Sequence, residues 1–152
     1  VPQVLTVLGV LVLATLLGLW WRSRNGRFTA VAAPVLAAAR EGRAPAEDLR
    51  AVVGELGERA TFVQLSSEVC APCRATARVL TTLAAQEPGV RHVELDVAQH
   101  LDLVRTHDVR RTPTVLVLDA AGTVVGRTSG ATDRAAALAA LAAVPAADAD
   151  GA

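Results

Sequence analysis

Cys70 and Cys73 are the only cysteines of the 152-residue chain, three positions apart in Cys70-Ala71-Pro72-Cys73. A thiol attacks as its thiolate, and that anion is favoured at the first turn of a helix, where backbone N–H groups lack intrahelical partners and the dipole is positive. Residues from Pro72 to about Gln86 read as a helix closed by Pro88-Gly89, which sets Cys70 at its start. Cys73 lies one turn further on, close enough to break a mixed disulfide that Cys70 has made, so the pair divides into attacker and resolver. Pro72 presets φ in the first turn and removes a donor that would otherwise be unpaired, while Ala71 merely fits. As a permanent crosslink the pair would be weak. A four-residue loop is worth about 2 kcal/mol in the loop-entropy model, against about 3 kcal/mol for fifteen residues.

A Cys-x-x-Cys is also half of a zinc site. Structural zinc wants four ligands, and the remaining candidates, His92, His100 and His107, match neither the finger nor the ribbon spacing. No metal and no cofactor beyond the two thiols is expected. His100 and His107, seven apart on one expected helix, read as solvent-facing or capping residues. Fifteen Lys+Arg balance fifteen Asp+Glu, so no long-range field draws the chain to nucleic acid.

The elements that must hold the pair follow from alternation and punctuation. Thr61 to Ser67 reads as a strand, Val90 to Val97 as a second, His100 to about Thr106 as a helix, and Thr114 to Asp119 as a buried strand. Ala121-Gly122 marks a turn, and Thr123 to Thr128 is expected to pair antiparallel with the strand before it. Asp133 is placed to cap a last helix carrying Leu138, Leu141 and Val144. The expected order is βαβαββα. A short helix from Pro45 to about Leu56 precedes it, with Leu49, Val52, Val53 and Leu56 as its apolar stripe.

Val4 to Trp21 is a run of eighteen residues without a charge, about 27 Å as a helix and nearly the thickness of a bilayer core. Trp20 and Trp21 end it, and Arg22, Arg24 and Arg27 follow, the pattern of an interfacial belt with a cytoplasmic flank. A secretory signal would carry its positive charge before the run and small residues at a cleavage site after it. The segment therefore reads as an anchor rather than a signal, with the main domain in the cytoplasm.

The run Thr61-Phe62-Val63-Gln64-Leu65-Ser66-Ser67-Glu68-Val69-Cys70-Ala71-Pro72-Cys73-Arg74 resembles the central strand and active-site turn of thioredoxins. Val109-Arg110-Arg111-Thr112-Pro113-Thr114-Val115-Leu116-Val117-Leu118 resembles the family segment that carries a cis-proline opposite the cysteines, and Gly122 and Gly130 fall where family glycines do. The likeness runs from about Leu49 to Val144. It implies an α/β thioredoxin-like fold, a central mixed sheet flanked by helices. It also implies that Cys70 is the nucleophile, Cys73 the resolving thiol, Pro113 the cis-proline beside them, and Thr112 a residue that offers its backbone to substrate. From the residues alone, the Thr112-Pro113 bond would be trans.

Three departures from the family stand out. Gln64 occupies the position, six residues before Cys70, where thioredoxins usually bury an aspartate that accepts a proton. An amide cannot take the Cys73 proton, so resolution is slower or relies on water or on His92, which stands where the family has a lysine beneath the site. From the residues alone, His92 is a polar side chain on the strand face of Glu94 and Asp96. Val69 replaces the aromatic residue usual before the first cysteine. Ala71 replaces a glycine, while Pro72 keeps the dipeptide near the reducing type. Glu68 would disfavour a nearby thiolate, but a surface carboxylate is screened.

The expectation is one chain in four parts. Residues 1–27 form a transmembrane anchor with its basic flank, 28–48 a juxtamembrane linker, 49–144 a thioredoxin-like domain, and 145–152 a disordered tail. Its function would be membrane-tethered thiol–disulfide exchange with protein partners carrying disulfides or thiols, recharged by an electron donor such as a reductase, without nucleic acid. Two alternatives stay open at this point: a non-catalytic adaptor using the groove beside Pro113, and a domain outside the cytoplasm that works in thiol maturation.

Overall fold

The computed structural model describes residues 2–24, 26–32 and 47–145. Pro45 as a helix start and the tail beyond residue 145 lie outside the described residues.

Helix α1 (Pro2–Arg24) comes first. Its large apolar side chains, Val4 to Trp20, are all more than half exposed, and its Pro2–Trp20 stretch is long and apolar enough to cross a membrane. Strand β1 (Phe28–Ala30) and helix α2 (Glu47–Val53) follow. Then come β2 (Ala60–Ser66), α3 (Ala71–Gln86), β3 (Val90–Asp96), α4 (Leu101–Thr106), β4 (Thr114–Asp119), β5 (Val124–Ser129) and α5 (Arg134–Ala142). The five strands form one sheet in the order β1-β5-β4-β2-β3. β2 and β3 are parallel, and every other neighbouring pair is antiparallel.

β2 and β4 are buried along their whole length; β4 accordingly reads as a near-continuous apolar run, while β2 also buries the polar Thr61, Gln64 and Ser66. Successive residues still point to opposite faces. Phe62 of β2 packs in a core with Leu80 and Leu83 of α3 and Ala137 and Leu141 of α5. Val63 and Leu65 face the other way, onto Leu49, Val53 and Leu103 of α2 and α4. Gln64 shares the face of Phe62, so a polar side chain is sent into the layer beneath α3.

The strands and helices from β2 onward fall within two residues of the sequence expectation. Asp133 caps α5, its carboxylate accepting from Ala136 N–H at 2.8 Å. α5 stops at Ala142, and Val144 packs against the core from beyond its end. β1 was not anticipated, because it lies in the stretch read as linker. Three residues, Phe28, Thr29 and Ala30, are too few to carry a detectable period; pairing with β5 makes this segment a strand. Phe28 lies over Gly126, where any Cβ would collide with its ring.

Candidate functional site

β2 delivers the chain to the site and α3 receives it. Cys70 is the N-cap of α3 in extended conformation, and Pro72 sits in the first turn. Cys70 and Cys73 are joined as a disulfide with a Cα–Cα distance of 5.2 Å. Cys73 N–H points at Cys70 Sγ at 3.1 Å, which is the donor a thiolate on Cys70 would need. Cys70 is 8% exposed and Cys73 only 1%, so an incoming group meets Cys70 first.

Two loops frame the pair. The Thr112–Pro113 bond is cis. The Pro113 carbonyl accepts from Gly130 N–H at 2.8 Å, and Thr114 Oγ1 donates to the Arg111 carbonyl at 2.8 Å. Ser67 and Thr112 hydroxyls lie 3.4 Å apart, tying the loop before Cys70 to the proline loop. Beside Thr112 is a cleft of about 240 Å³ lined by Val97, Val104, Val109, Arg110 and Arg111. Val69, immediately before Cys70, is 97% exposed.

Beneath the pair, Gln64 is fully buried. Its Nε2 lies 2.7 Å from Ser66 Oγ, 3.0 Å from the Cys73 carbonyl and 3.1 Å from Glu94 Oε1. Gln64 Oε1 is buried with no hydrogen-bond partner. Glu94 is opposite Gln64 on the parallel neighbour strand, whereas His92 is opposite Phe62, one side-chain repeat further from the cysteines. His92 Nδ1 pairs with Thr81 Oγ1 at 3.2 Å on α3, and burial pulls its imidazole below the usual pKa despite the nearby Glu94 carboxylate. The structure thus sets Cys70, Pro72 and Cys73 at the start of α3, ties Thr112, next to Pro113, to Ser67 in the loop before Cys70, and places His92 one repeat further back along β3. Glu94 is the carboxylate that reaches the Gln64 amide. Sequence reasoning missed Glu94 and Ser66, although pairing β2 with β3 in parallel register would have singled out Glu94.

His107, read as solvent-facing or capping, is the C-cap of α4, and its Nε2 lies 3.0 Å from Asp48 Oδ2, tying α4 to α2. Among the described residues, no group of three His, Cys, Asp or Glu is placed to hold a metal ion.

Residues 44–143 match the thioredoxin family. The chain belongs to that family. Among solved structures, it resembles thioredoxin from Fasciola hepatica at 27% identity, covering 66% of this chain and 94% of that one with a TM-score of 0.56. It also resembles mitochondrial thioredoxin 3 from Saccharomyces cerevisiae in its oxidised form, at 23% identity, 64% and 88% coverage and a TM-score of 0.53. Thioredoxin NaTrxh from Nicotiana alata is similar at 22% identity, 67% and 88% coverage and a TM-score of 0.54. Comparison with curated proteins finds no match. This thioredoxin-fold chain therefore carries its close cysteine pair on the turn between β2 and α3, with a cis-proline loop braced against that turn.

Proposed function

We propose that the protein is a membrane-tethered thiol–disulfide oxidoreductase that reduces or exchanges disulfides in protein partners. The carrying observation is Cys70, the more exposed of the pair, at the start of a sixteen-residue helix with Cys73 N–H directed at its sulfur. Cys70 attacks a partner disulfide and forms a mixed disulfide, expelling one partner thiolate. Cys73 then attacks Cys70 Sγ, releasing the second partner thiolate and leaving the Cys70–Cys73 disulfide. Two electrons pass from the dithiol to the partner. Pro72 stiffens the turn, Pro113 closes the other side, and Thr112 presents its backbone to an extended substrate segment seated in the cleft beside it. A dithiol donor must return two electrons for each turnover.

The apolar Pro2–Trp20 stretch of α1 supplies the tether, and Arg22, Arg24 and Arg27 beyond that stretch favour a cytoplasmic domain. A reporter fused after Ala152 tests this side. Activity outside the cytoplasm would reverse the orientation, and a chain shortened at its N-terminus and free of the membrane would show that α1 is a cleaved signal.

The decisive test of the chemistry is insulin reduction driven by dithiothreitol. The wild-type chain is expected to accelerate it and Cys70→Ser to abolish the effect. Cys73→Ser is expected to accumulate mixed disulfides with protein partners in intact cells. An inert wild-type chain, with Cys73→Ser trapping no more than Cys70→Ser, would favour a non-catalytic adaptor.

A further inference from the structure

The strand order determines which end of the sheet the chain meets on leaving α1. β1 is antiparallel to β5, β5 to β4, and β4 to β2. β1 and β2 therefore run in opposite directions, and the start of β1 lies at the same end as the finish of β2. The registers make this residue-specific. Leu65 faces Thr114, Thr114 faces Ser129, and the Ser129 carbonyl accepts from Gly26 N–H at 3.1 Å. Gly26 thus joins the sheet on the rung next to Ser66 and Pro113. Three strand spacings, about 14 Å, separate that edge from β2.

Gly26 is clamped there. It is buried with φ +74°, and a Cβ would collide with the Ala131 carbonyl. The next residue, Thr132, donates its N–H to Thr76 Oγ1 at 3.0 Å. Thr76 lies on α3 one turn beyond Cys73, so a short chain of contacts joins the end of the tether to the helix that carries the cysteines. Gly26 is five positions beyond Trp21, a reach of at most about 18 Å when fully extended. At this same end of the domain, Val69 stands 97% exposed beside Cys70, while the next most exposed large apolar residue described outside α1 is Leu101 at 54%.

We infer that the cysteine end of the domain is turned toward the bilayer that α1 occupies, and that the substrate is a disulfide on a membrane-embedded protein at headgroup level. This rests on the anchored oxidoreductase reading above. The Cys70 thiolate attacks the membrane-borne disulfide, one sulfur leaves as a thiolate, and Cys73 resolves the mixed disulfide, so the dithiol is oxidised as the membrane disulfide is reduced.

The test uses the full chain, reduced with dithiothreitol, freed of it, and reconstituted in phosphatidylcholine vesicles. The vesicles contain a trace of phosphatidylethanolamine whose headgroup carries a pyridyl disulfide, and a soluble pyridyl disulfide serves as the second probe. Released pyridine-2-thione reports both reactions. A second form carries a helical (EAAAK)₄ spacer between Arg24 and Asn25, which lifts the domain by about 30 Å. The spacer is expected to slow the lipid-linked reaction by about tenfold or more, since it lowers the effective concentration at the headgroups, and to leave the soluble reaction unchanged. Equal lipid-linked rates for the two forms, with the soluble probe reduced by both, would overturn the orientation alone. A vesicle-bound chain that reduces neither probe would overturn the oxidoreductase reading, and a chain that does not float with the vesicles would overturn the anchor.

Discussion

Gln64 places a neutral amide in the buried layer under Cys73, with its Nε2 within hydrogen-bond distance of the Cys73 carbonyl, Ser66 Oγ and Glu94 Oε1. Removing a buried donor leaves its acceptors unsatisfied, so Gln64→Leu is expected to lower stability by about 1–3 kcal/mol, read as a reduced urea midpoint. An unchanged midpoint would mean that the amide does not brace the site. His92 makes the stability depend on pH. Burial holds its folded-state pKa below the ordinary value near 6.5, so the unfolded chain binds that proton more readily. Its stabilising effect is complete above about pH 6.5 and is lost as the pH falls through that value toward the folded pKa. His92→Gln is expected to flatten the decline in urea midpoint between pH 8 and pH 5, and an identical slope in the variant would refute this. The cysteines and Pro72 were legible because each residue type carries its chemistry in its local sequence, whereas Thr112 and Pro113 stood out only through the family resemblance, the residues alone pointing to a trans bond where the structure has a cis one. The Gln64–Glu94 contact was not legible, because it depends on the β2–β3 register, and His92 sits only two residues away on the same face.

Elements were legible where apolar period and punctuation agreed. α3 has Pro72 at its start and Pro88-Gly89 beyond its end, and α5 has Asp133 at its N-cap. Asp133→Ala removes the acceptor for Ala136 N–H and is expected to cost about 1 kcal/mol in thermal or urea unfolding. A variant with wild-type stability would show that the cap contributes nothing. β1 was invisible because its stability comes from its partner. Gly26 is the residue on which its docking turns: Gly26→Val adds a side chain at φ +74°, where the Ala131 carbonyl leaves no room. The substitution is expected to release β1 from β5, with amide exchange rising at Ala30 and Thr128 while β2 and β4 stay protected. Unchanged exchange at those positions would show that the edge strand does not need this glycine.

For the whole molecule, the two cores lie on opposite faces of one sheet that runs from β1 to β3, and α1 stands outside both with its apolar side chains exposed. Deleting residues 2–24 is therefore expected to leave the urea midpoint within about 0.5 kcal/mol of the full chain, the range of changes that touch no packed feature, and to abolish flotation with vesicles. A large loss of stability on deletion would show that α1 packs on the domain. The clamp at Gly26 carries a kinetic consequence. A reactive group held within a short span of the lipid surface searches an area instead of a volume, so its encounter rate scales with how many carriers occupy each patch of membrane. Dilution of the surrounding solution would leave such a rate untouched, whereas added lipid, by spreading the same molecules over more surface, would slow it.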